Sequence, residues 1–149
     1  MPEIISVQRL PGRADLAATA IDVVELPMTA DDRRRVHRIV EAPDGARLAL
    51  ELPTGTVLHP GQVLHRSPSR AYVVSAALED VLIVRPRDAA EAARVGHLIG
   101  NLHRDIEIDG AEIVALADAA LAERLRRADV PFVQERRAFH GRAPGEHAH

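Results

Sequence analysis

The chain has 149 residues, 46% of them hydrophobic, and a formal net charge of −3, which suits one domain or two small ones. It contains no cysteine, and all 19 basic residues are arginine; disulfides, thiolate nucleophiles, thiolate-held metals, a Walker A lysine and a Schiff-base lysine are thereby excluded. Two Phe, one Tyr and no Trp leave almost no stacking platform for single-stranded nucleic acid, and the mild negative charge makes no electrostatic case for nucleic acid or membrane.

The N-terminus lacks a basic region followed by an apolar core, and no apolar run approaches the ~20 residues of a membrane helix, so a soluble, cytoplasmic protein is expected. Residues 1–30 read as an irregular or partly β lead-in: Ile4–Val7 could form a strand, and the apolar run from Leu16 to Leu26 ends at Pro27. Arg33-Arg34-Arg35 reads as a solvated strand edge, and Val36–Val40 as a strand. Pro43-Asp44-Gly45 is a turn, because Pro fixes φ and Gly accepts a positive one. Leu48, Leu50 and Leu52 alternate with Arg47, Ala49 and Glu51, the pattern of a half-buried antiparallel strand. Turn signals then recur at Pro53-Thr54-Gly55, Pro60-Gly61 and Ser67-Pro68-Ser69 between short apolar runs. A small all-β sandwich or barrel over residues 1–75 is expected. His37, His59 and His65 share no short spacing there and read as surface or packing residues.

Near Ala76 the pattern changes. Val81–Val84 is a continuous apolar run, as in a central strand. Asp88 starts a helix, with Glu91 completing a capping box and Gly100 supplying the stop. Ile106 and Ile108 alternate with acidic residues before an Asp109-Gly110 hairpin signal. Ile113–Leu116 returns, Asp118 caps a second helix, and a last strand lies between Pro131 and Phe139. The resulting β-α-β-β-α-β order over residues 76–139 is the ferredoxin-like pattern, giving an α+β fold. Residues 140–149, broken by Gly141, Pro144 and Gly145, read as a flexible tail.

Without thiolates, a metal must be held by imidazole, carboxylate, backbone or water. His103 follows the helix stop in Gly100-Asn101-Leu102-His103, where the next strand is expected to begin. His147 and His149 stand at i, i+2, so in an extended tail their Cα atoms lie about 6.5–7 Å apart on one side and can share an ion; His140 could add a further ligand. One histidine cannot hold a transition metal alone, but two copies across a two-fold axis can, with tail histidines completing the shell. Imidazole suits Ni²⁺, Cu²⁺ and Zn²⁺, and the affinity order favours Cu²⁺, so the ligands do not name the metal. Binding needs neutral imidazole, so affinity should fall as pH drops through about 6.5.

The Gly100-Asn101-Leu102-His103 stretch at the end of the first helix of the second domain resembles the motif Gly-Asn-Arg-His of the urease accessory protein E family (UreE), a group of dimeric nickel metallochaperones. The hairpin-rich domain before it and the histidine tail after it extend the resemblance from about Arg33 to the C-terminal end. The resemblance implies a non-enzymatic homodimer that binds Ni²⁺ through His103 of both subunits, with His140, His147 and His149 as further ligands. It would deliver nickel for urease active-site assembly, with the urease accessory GTPase UreG and the apo-urease complex as partners and the N-terminal domain as docking module. The chain departs from the family at Leu102, usually basic, and at Ala115–Ala119, where some members carry histidines; fewer bound ions are expected. His97 falls near where some members have an aromatic or histidine and reads as a surface or packing residue. The alternative expectation is a metal-independent ferredoxin-like regulatory module. A hydrolase is not supported, since neither HExxH nor GxSxG occurs.

Overall fold

Leu48 and Leu50 are completely enclosed, because their alternation with Arg47, Ala49 and Glu51 resolves into a strand with one face on a core. The computed structural model describes residues 3–11 and 21–143; residues 12–20, part of the apolar lead-in, and 144–149 lie outside it. The chain divides into two units, Met1–Ala76 and Ala77–His149.

The first unit holds β1 (Ile4–Val7), β2 (Asp22–Met28), β3 (His37–Glu41), β4 (Arg47–Glu51), β5 (Val63–Arg66) and β6 (Arg70–Ala76). They form two three-stranded sheets, ordered β1-β4-β3 and β2-β6-β5. One cluster draws on both sheets: Val7, Leu26, Met28, Leu48, Leu50, Leu64, Tyr72 and Val74. β2 accommodates Pro27 because it is an edge strand, paired only with β6, and one of its edges needs no donor. The Pro43 turn closes β3 onto β4 through Gly45 N–H to the Ala42 carbonyl at 2.9 Å, with Gly45 at φ +89°. That is a type I turn followed by a left-handed residue, the three-residue hairpin for which glycine is suited.

The expected solvated edge at Arg33-Arg34-Arg35 is corrected. Asp32–Arg34 form a short 3₁₀ turn, and Arg33 is buried, donating to the Met28 carbonyl at 2.8 Å. Thr29 and Asp32 cause this. Thr29 N–H donates to Asp32 Oδ2 (3.1 Å), and Asp32 N–H donates to Thr29 Oγ1 (3.0 Å). This reciprocal pair nucleates a turn where a strand was expected.

The second unit runs β7 (Leu78–Val84), α1 (Ala89–Asn101), β8 (Glu107–Asp109), β9 (Glu112–Leu116), α2 (Ala119–Arg127), β10 (Val133–Ala138). The sheet order is β10-β7-β9-β8, with every neighbouring pair antiparallel. Leu82, Val84, Ile113 and Ala115 meet Val95 and Ile99 of α1 and Leu121 and Leu125 of α2 in a second core cluster. Val81, Ile83 and Val114 alternate with these residues and are buried as well. After β10 the chain does not leave the sheet: Arg142 bridges to Ile106, just before β8. Residues 139–142 therefore span from one sheet edge to the other, and Phe139 within them is fully enclosed. The expected flexible stretch thus begins with a held segment, 140–143. Among the described residues no helix is long and apolar enough to cross a membrane.

Candidate metal site

Helix α1 delivers His103 and is fixed at both ends. Asp88 caps it, its side chain accepting from Glu91 N–H at 2.7 Å. Glu91, the expected capping-box partner, reaches one residue further back, to Arg87 N–H (3.2 Å) and to the Arg87 guanidinium (2.8 Å). The hydrogen bond from Arg87 holds the buried Glu91 carboxyl below its ordinary titration range.

The other end departs from the expected stop. Gly100 is not the break; the helix continues through Asn101, with Ile99 buried just before it. His103 N–H donates to the Gly100 carbonyl (3.0 Å) and Arg104 N–H to the Ile99 carbonyl (3.2 Å). These two bonds are the Schellman motif, whose left-handed residue is usually glycine. Here that residue is His103, at φ +55°. The imidazole is carried out to solvent on a backbone conformation that costs a non-glycine residue energy. Beyond it, Arg104 pairs with Asp118, the N-cap of α2, at 2.9 Å, so the segment after His103 is tied to the second helix.

His140 lies on the strap after β10, with its Nδ1 3.3 Å from Glu107 Oε1. His97 is exposed on α1. His147 and His149 lie outside the described residues. Among the described residues no group of three or more His, Asp or Glu is arranged to hold a metal. A single chain's described part therefore brings His103 and His140 to exposed positions without assembling a closed site. The sequence reasoning missed Glu107 and Arg142, the residues that fasten the strap; the only signal was their placement beside β8, which spacing does not show.

The family models for the UreE urease accessory protein match in tandem, the N-terminal domain over residues 7–77 and the C-terminal domain over residues 79–149. The chain belongs to the UreE family. Urease accessory protein UreE of Deinococcus radiodurans is 54% identical over 83% of this chain and 80% of its own length. The protein of the same name from Synechococcus sp. strain JA-3-3Ab is 54% identical over 80% of each chain. That of Paraburkholderia xenovorans is 36% identical over 78% of this chain and 55% of its own. The UreE C-terminal match includes the whole stretch from α1 through His103 to His149, the part of the chain in which the candidate ligands lie.

Proposed function

We propose that this protein is a nickel carrier that supplies Ni²⁺ for assembly of the urease active site and catalyses no reaction itself. The observation that carries the reading is His103: an exposed imidazole on a left-handed backbone, at the end of the helix in the UreE C-terminal domain. Glycine would take this left-handed position at lower cost, so the histidine standing there is a candidate for a functional side chain.

In this reading two chains form a homodimer and His103 from each shares one ion across the two-fold axis. His147 and His149 complete the shell, and His140 contributes less because Glu107 already engages it. Nickel is the cargo, although the same imidazoles would also take Zn²⁺ or Cu²⁺. A site finished by tail ligands can give up its ion one ligand at a time, as a carrier must. The partners are the urease accessory GTPase UreG and the apo-urease complex, met in the cytoplasm, with the first unit as docking module. The second unit is read as ferredoxin-like on the strength of its element order and its fully antiparallel β10-β7-β9-β8 sheet.

Urease activation under limiting nickel tests this reading. Apo-urease with its accessory proteins should gain activity when the wild-type chain is added and little when His103→Ala replaces it. Equal activation by both would refute it.

A further inference from the structure

Arg104 stands immediately after His103 and puts a permanent positive charge beside the imidazole. Left free, it would repel any cation held there. The fold gives it a fixed partner. Arg104 Nη2 donates to Asp118 Oδ2 at 2.9 Å, while Asp118 Oδ1 accepts from Leu121 N–H at 2.9 Å. One carboxylate therefore caps α2 with one oxygen and holds the guanidinium with the other. The N-terminus of a helix favours a negative charge, which keeps this carboxylate ionised and in place. The backbone around His103 is fixed as well. Arg104 N–H donates to the Ile99 carbonyl, and Leu102 packs against the second core. His103 is thus exposed between a partly buried leucine and a paired arginine.

We propose that Asp118 is a positioning residue: by holding and neutralising Arg104, it keeps a repelling charge away from a cation bound at His103. The nickel it serves rests on the nickel-carrier reading; the neutralised charge at position 103 does not. The side chains of Arg104 and Asp118 are 49% and 29% exposed, so the pair meets water and adds little to folding by itself. Its effect on a nearby divalent ion is larger, because the ion's double charge doubles the Coulomb energy. Adjacent Cα atoms are ~3.8 Å apart, so a freed guanidinium can swing to within ~8 Å of an ion at the imidazole. Coulomb's law in water then weakens binding ~5-fold per chain at ~0.01 M ionic strength, or ~25-fold for an ion shared by two chains. At ~1 M the effect fades to under ~2-fold. Asp105 keeps its charge in every variant named below and cancels from each comparison.

Asp118→Asn releases Arg104 yet keeps a cap oxygen for Leu121 N–H, since Asn caps helices as well as Asp. It should bind Ni²⁺ ~5- to 25-fold more weakly than wild type at ~0.01 M ionic strength and match wild type at ~1 M. Arg104→Gln combined with Asp118→Asn should restore wild-type affinity, and Arg104→Gln alone should bind at least as tightly as wild type. A pair that merely props the loop would instead make both Arg104→Gln chains weak binders. Because the chain has no cysteine, His103→Cys gives a metal-free reading of the local potential. Iodoacetate is an anion and iodoacetamide is neutral, and both alkylate the same thiolate, so the ratio of their rates reports the charge near position 103. Adding Asp118→Asn should raise that ratio ~2-fold at low salt. Wild-type nickel affinity in Asp118→Asn at low salt, a double variant no better than Asp118→Asn, weak binding by Arg104→Gln alone, or an unchanged alkylation ratio would each overturn the proposal. If the ratio rises as stated but no chain binds nickel, the neutralising role of Asp118 stands and the carrier reading falls.

Discussion

The Tyr72 hydroxyl donates to Asp44 Oδ2 at 2.7 Å, joining the β3–β4 turn of one sheet to β6 of the other. Arg70 reaches the same oxygen at 2.7 Å, and Asp44 Oδ1 accepts from Ala46 N–H. The only tyrosine in the chain therefore ties the two sheets of the first unit together at their rim. Tyr72→Phe keeps the ring in the core and removes this bond. It should cost about 1 kcal/mol in urea unfolding, since Asp44 keeps its other partners. An unchanged midpoint would show that the tie contributes nothing.

Three carboxylates give the fold a defined acid sensitivity. The bond from Tyr72 holds Asp44 below its usual range, that from Arg87 does the same for Glu91, and that from Arg137 for Glu112. A carboxylate whose pKa is lowered by folding contributes stability that is complete above its unfolded value. That stability drains away as pH falls through the depressed folded value. The melting temperature should stay flat from neutral pH down to about 5 and fall below about 4. Asp44→Asn combined with Glu91→Gln should flatten that fall; an equally steep fall in the double variant would remove these groups as its cause.

His103 predicts opposite effects on stability and binding. His103→Gly relieves a left-handed backbone that favours glycine, offset by glycine's greater freedom when unfolded, and should stabilise the fold by up to about 1 kcal/mol. The same substitution should abolish tight nickel binding. Thermal melts beside metal titrations read both; a destabilised His103→Gly would mean that the imidazole has a structural role.

The second unit has its own core, in which Leu82, Val84, Val95, Ile99, Leu121 and Leu125 meet. A chain beginning at Ala77 should therefore fold, with a cooperative melt and native helix content, and retain nickel binding. A non-cooperative melt would show that this core needs the first unit.

Much of this arrangement is legible in the sequence because it follows from local chemistry. Asp88 and Asp118 cap helices as side chains that accept from Glu91 and Leu121 N–H, and the Asp109-Gly110 hairpin forms with Gly110 at φ +59°. The expected α+β fold and UreE membership hold. Gly100 misled, because glycine marks a helix end only when burial does not favour another turn. Packing of Ile99 and Leu102 against the second core carries the helix past it, moving the left-handed position onto His103. Arg33 misled because an arginine run suggests solvent, whereas the Thr29–Asp32 pair folds the chain inward. The strap was illegible for a different reason: the Ile106–Arg142 bridge joins residues far apart in sequence, and no local pattern announces it.

Calorimetric titration of Ni²⁺ into wild type and His103→Ala tests the central claim most directly. One tightly bound ion per two chains in wild type, lost in His103→Ala, is the predicted result. Nickel bound as tightly by His103→Ala as by wild type would contradict a site shared through this residue.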